Sequence, residues 1–199
     1  EQRTPRAITH AFVEACAETQ IPLNPDFNGP RQEGAGLYQV TQFHDGKRDG
    51  ERCSVAAAWL HPVMNRPNLK VLTGALASKV LFDGRRAVGL ACRRGGRERT
   101  VGARREVIVS GGAFGSPQLL LLSGVGPAEE LKRAGVDVLH DLPGVGKNLQ
   151  DHLDFILSWK TGDTDGLGLG FVGAAKLLRE MLRWRRNGTG LLASPGAEG

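Results

Sequence analysis

Cysteine is scarce in this 199-residue chain, which holds only Cys16, Cys53 and Cys92. They are odd in number and lack metal-ligand spacing, so neither a disulfide framework nor a metal site is expected. Long apolar runs are missing as well. None nears the roughly 18 residues that a membrane-spanning helix requires, so no integral membrane segment is expected. Aromatic residues make up 6% and form no stacking platform among the scattered basic clusters at Arg93-Arg94, Arg104-Arg105 and residues 183–186. The net charge of +5 and the pI near 9.4 are therefore read as solvated faces, and nucleic acid is excluded as a partner. No charged-then-apolar leader opens the chain, and Glu1-Gln2-Arg3 carries no methionine, as expected of a segment cut from something larger.

What is present is ordinary globular material, 40% hydrophobic and 24% charged. Thr4-Pro5 opens a helix in which Ile8, Ala11, Phe12, Ala15 and Cys16 recur at helical spacing until Pro22. Residues 20–50 are crowded with turn formers, and such a long irregular stretch usually has a function of its own. Within it Tyr38, Val40 and Gln42 alternate as an edge strand does. Ser54 caps a second helix over residues 55–60, ended by Pro62. Strands are then expected at residues 69–73, 76–82, 87–92 and 99–103, with Asp83-Gly84 as hairpin chemistry. Pro127 starts a short helix with Glu129-Glu130 early and Lys132-Arg133 late, an order that suits the helix dipole. Asp163-Thr164-Asp165-Gly166 with Gly168 and Gly170 reads as a connector, since no buried strand feeds it as a phosphate loop would need. A last helix covers residues 171–187, with Leu178, Met181 and Leu182 on one face and Arg179, Arg183 and Arg186 on the other. It packs on a substrate domain or touches a membrane surface. Residues 190–199 are not expected to hold themselves in place.

The densest signal lies at residues 105–153. Val107-Ile108-Val109 reads as a buried strand that breaks into Ser110-Gly111-Gly112. Ser116 and Pro117 then read as the cap and first residue of a helix ended by Gly124. A strand, a side-chain-free turn and a helix N-terminus can be plain packing, or can bind an anion on exposed backbone N–H groups. Asn148, Asp151 and His152 form a polar cluster that is either an acid–base pair or a support for the adjoining loop.

The full string is more specific than its parts. Gly115-Ser116-Pro117-Gln118, two leucines, then Ser123-Gly124-Val125-Gly126 resembles the second signature of the glucose–methanol–choline (GMC) flavoprotein oxidoreductases. Residues 142–152, LPGVGKNLQDH, resemble the choline-dehydrogenase-like branch, and Asp26-Phe27-Asn28-Gly29 through Gln39 resembles the stretch leading to the family's substrate side. This resemblance implies an α/β fold with an α+β substrate region. Residues 1–150 would be the middle of a partial FAD-binding, doubly wound (Rossmann-like) domain with an inserted β-meander at about 69–104, and residues 151–199 the start of the substrate-binding domain. It implies FAD as cofactor, a small-molecule alcohol as substrate and hydride transfer to the flavin. The expected cofactor contacts are Val80, through its backbone, with Ser110, Gly111, Gly112 and Ser116. The family's G-x-G-x-x-G and its catalytic histidine with a His or Asn partner have no match here. No catalytic role falls on His10, His44, His61, His140 or His152, and the segment alone is expected to be inactive. An inactive remnant or non-enzymatic binding module keeping the middle of the fold is the alternative. A cytoplasmic setting is expected, with membrane association open for the longer protein. The electron acceptor is left open.

Overall fold

A computed structural model describes residues 4–153 and 171–193. The chain forms two compact units, Glu1–Leu69 with Ser158–Gly199, and Lys70–Leu157.

The first unit begins with α1 (Ala7–Glu18). Its inward stripe is Thr9, Val13 and Cys16, while Ile8 and Phe12 stay more than half exposed, so the packed face is rotated from the one the apolar spacing predicts. The following loop is organised by Asn24, which is 7% exposed. Its Nδ2 donates to the carbonyls of Arg31 (2.8 Å) and Glu33 (3.3 Å), and its Oδ1 accepts from the Asp26 N–H at 3.0 Å. Backbone bonds Asn24 N–H to Ala35 O and Ala35 N–H to Pro22 O close the loop. The expected edge strand at residues 38–42 is reduced to a single bridge, Gln42 to Arg52. Ser54 does cap its helix, its Oγ accepting from the Ala57 N–H at 3.2 Å. The helix is a wide π turn, Ala56–Leu60, that tightens into a 3-10 turn, His61–Val63, with Pro62 inside the tight turn rather than ending the element.

α4 (Phe171–Asn187) closes this unit on the expected boundaries. Gly188 stops it at φ +63° and seats against the backbone of Asp49. Residues 190–193, expected to be loose, are tied down. The Gly190 N–H donates to Thr4 Oγ1, the Leu191 N–H to Glu180 Oε2, and Gln42 Nε2 to the Ala193 carbonyl. Residues 163–170 and 194–199 lie outside the described residues.

The second unit is built on an antiparallel meander, β1 (Ala75–Asp83), β2 (Arg86–Arg94) and β3 (Arg97–Gly102), in the order β1-β2-β3. Gly84 (φ +53°) makes the first two-residue turn. Gly95 and Gly96, both at positive φ, make the second, as a type I′ hairpin requires. β1 bulges between Ala77 and Lys79. The strand expected at 69–73 does not form.

Nor does the one expected at 107–109. No ladder partner flanks it among the described residues, and Ile108 is 78% exposed; a parallel strand is defined by neighbours on which to bond. Helix α2 (Gly112–Leu122) follows, then β4 (Val125–Gly126), α3 (Ala128–Arg133) and β5 (His140–Asp141), with β4 and β5 parallel. Val80, Cys92, Val125 and Leu131 form the small buried core.

Candidate cofactor-binding site

Helix α2 starts earlier than Ser116 and Pro117 suggest. The chain enters it through Gly112 at φ +78°, a left-handed conformation that glycine adopts without strain. Pro117 therefore lies inside the helix, where it withholds one backbone bond. Ser116 still caps, but backwards, its Oγ accepting the Gly111 N–H at 2.8 Å. Gly111 also fits tightly, since a Cβ there would stand 3.0 Å from the backbone of Gly115 and Ser116.

This leaves an open cradle. The positions where Cβ atoms of Gly112 and Gly115 would stand have nothing within 4 Å, and Ser110, Gly111 and Gly112 are exposed. The first-turn N–H groups of Gly112, Ala113 and Phe114 have no intrahelical acceptor and carry the positive end of the helix dipole. These residues fit an anionic or carbonyl oxygen of a nucleotide cofactor. Beside them, a groove of about 750 Å³ runs between α2 and the 144–150 turn, bordered by Phe114, Gln118 and Asn148. Sequence reasoning did not mark Phe114 or Gln118. The positive φ of Asn148, +56°, is a conformation that asparagine tolerates best after glycine.

Val80 lies at the other end of α2. It is 3% exposed, and its N–H donates to Ser123 Oγ at 2.8 Å. The N–H is thus spent, so a cofactor contact from the Val80 backbone would have to run through its carbonyl. The eleven residues of α2 set the two ends about 16 Å apart at 1.5 Å per residue. A ligand touching both must be elongated, as a flavin–adenine dinucleotide is.

Asp151 Oδ1 accepts the neighbouring His152 N–H at 2.8 Å, a local turn contact rather than a side-chain acid–base pair. His140 Nδ1 lies 3.3 Å from Arg85 Nη2. Among the described residues no cluster of His, Cys, Asp and Glu could hold a metal ion.

The turn bordering the groove is tied to α3 by Lys147, whose Nζ donates to Glu130 Oε1 at 2.6 Å. That bond holds the Glu130 carboxyl below the usual carboxylate range, and Lys132 does the same for Glu129. A carboxyl lowered by folding adds stability that is present above its unfolded pKa and lost as pH falls through the folded one. The tie should therefore persist at neutral pH and release only in acid, below the ordinary glutamate range. In an NMR titration, Lys147→Met should move the Glu130 midpoint upward. An unchanged midpoint would show that the bond does not hold in solution.

Residues 1–154 match the family model described as GMC oxidoreductase. The chain is 45% identical over 193 residues to an "Alcohol dehydrogenase [acceptor]" of Pseudomonas putida, covering 96% of this chain and 34% of that protein. It is 47% identical over 155 residues to the mitochondrial choline dehydrogenase of Homo sapiens, covering 78% of this chain and 25% of that protein. Among solved structures, an FAD-dependent oxidoreductase from Chaetomium thermophilum superposes with a TM-score of 0.74 at 25% identity, over 94% of this chain and 32% of that one. The chain thus spans about a third or less of the length of these proteins.

Proposed function

The chain belongs to the GMC oxidoreductase family, and on that premise we propose that it forms part of an FAD-dependent enzyme that oxidises the CH–OH group of an alcohol, in the manner of the choline and alcohol dehydrogenases it is similar to. The observation that carries this reading is the Gly111-Gly112 N-terminus of α2, set directly ahead of the Gly115–Gly126 string. Residues 1–150 would supply cofactor-binding pieces and residues 151–199 open the substrate side.

Bound FAD would supply the acceptor for the hydride leaving the alcohol carbon. The chain's own residues bind and orient. First-turn N–H groups at Gly112, Ala113 and Phe114 would hold a cofactor oxygen. Ser116 fixes the Gly111 backbone behind them, the exposed Ser110 stands at the mouth, and the Val80 carbonyl would meet the far end. The proton-accepting base is assigned to no residue of this chain, which alone would not turn over. We place the protein in the cytoplasm with a small-molecule alcohol as its substrate; no helix of the described residues is long and apolar enough to cross a membrane.

Gly112→Asp in the full-length protein tests the cradle. A carboxylate there would compete for the first-turn N–H groups, and flavin content or affinity should fall by at least about tenfold, equivalent to about 1.4 kcal/mol. Gly112→Asn, which tolerates positive φ and carries no charge, should retain more. Equal flavin in wild type and Gly112→Asp would remove α2 from the cofactor site.

A further inference from the structure

We propose that Asn148 and Gln118 bind an uncharged, hydroxyl-bearing stretch of the cofactor, beside the α2 N-terminus that takes its anionic oxygen. The inference rests on the flavin reading above and deepens the same site. It starts from the turn that carries Asn148, which is held from two sides. Gly146, at φ +75°, lies so near α2 that a Cβ there would stand 3.6 Å from Leu121 Cδ1. Lys147 Nζ donates to Glu130 Oε1 of α3 at 2.6 Å. Asn148 follows directly, left-handed at φ +56°, at a fixed place on the groove wall. Glycine would adopt that conformation at lower cost, so the backbone alone gives no reason for a carboxamide there.

Across the groove, α2 presents Phe114 and Gln118, four positions apart and therefore on one helix face. Phe114 also supplies one of the first-turn N–H groups. The groove thus opens directly from the cradle, and an elongated ligand seated on those N–H groups continues into it.

The chemistry of the groove narrows what enters. Lys147 is the one ionised side chain lining it, and that charge is spent on Glu130. Asn148 and Gln118 are exposed, and among the described residues their carboxamides make no hydrogen bond. A carboxamide both donates and accepts, and so does a hydroxyl. A phosphate only accepts and carries charge, and the helix N–H groups serve it better. In a flavin–adenine dinucleotide the sugar-alcohol segments next to the phosphates have the matching chemistry.

The test is the FAD dissociation constant of the full-length protein, from titration of flavin into the flavin-free form. Asn148→Gly keeps the left-handed turn and removes the carboxamide. Gln118→Ala keeps the helix and does the same on the opposite wall. Each should weaken FAD binding by about two- to tenfold, the range of a lost neutral hydrogen bond. The unfolding temperature of the flavin-free protein should not fall. Asn148→Asp still accepts from a hydroxyl, so it should bind FAD no more weakly than Asn148→Gly. Unchanged affinity in either Asn148→Gly or Gln118→Ala, as when the rest of the polypeptide fills the groove, would overturn the inference. So would a loss of affinity matched by a loss of stability without flavin, which is an effect on the fold. A further loss of about tenfold or more in Asn148→Asp, from repulsion by a close phosphate, would overturn it too. Gly112→Asp separates the two readings. A loss there with none in the groove variants refutes the groove contacts alone, and no loss in any of them refutes both.

Discussion

Ser123→Ala should cost the Lys70–Leu157 unit about 1–3 kcal/mol, the penalty for a buried donor left without an acceptor. Ser123 is 3% exposed, and its Oγ donates to the Leu119 carbonyl at 2.6 Å while accepting the Val80 N–H at 2.8 Å. One hydroxyl therefore satisfies both a carbonyl at the end of α2 and an outward N–H of β1, and it locks the helix onto the sheet. Alanine removes both bonds while changing the shape very little. For a unit of this size the loss corresponds to several degrees and up to about 20 °C in Tm. Urea unfolding should show a lower midpoint with an unchanged slope. A change below about 0.5 kcal/mol, the range of neutral substitutions, would mean the bridge is not formed. Added FAD that stabilised Ser123→Ala more than it stabilises the wild type would assign the Val80 N–H, rather than its carbonyl, to the cofactor.

Gly188→Ala should be harsher, at about 3 kcal/mol or more. Gly188 sits at φ +63° and a Cβ there would overlap the Asp49 carbonyl; Gly50, at φ +77°, meets the Gly188 carbonyl in the same way. The end of α4 thus docks backbone on backbone, and neither strand of the contact can yield by a rotamer change. Gly46→Ala is the control. Its φ is +77° but nothing lies within 4 Å of the added atom, so it should show only the conformational cost of about 1–2 kcal/mol. Similar losses in the two variants by chemical denaturation would mean that the close approach contributes nothing.

Local signals in the sequence survived into the fold where the structure they encode is local. The α4 boundaries, the short helix α3 with its Glu129–Lys132 pair at 2.8 Å, and the hairpin around Gly84 all depend on residues within a few positions of each other. The misses share a cause. Residues 69–73 and 107–109 have strand composition, but strands need partners supplied from elsewhere. Ser116-Pro117 looked like a helix start because that pair favours one, yet the left-handed Gly112 lets α2 begin earlier. The buried Glu180 could not be read from an otherwise basic helix face, since its acceptor role is set by Leu191 folding back eleven residues later. For the candidate site, Ser110, Gly111, Gly112 and Ser116 were legible as one corner, while the commitment of the Val80 N–H to Ser123 spans 43 positions and was not.

The most direct test of the flavin reading is the absorption spectrum of the full-length protein carrying this segment, followed anaerobically as choline and simple primary alcohols are added. An oxidised-flavin band that bleaches with one of these alcohols is the expected result. A protein that purifies without flavin and takes up none, or whose flavin no alcohol reduces, would contradict it.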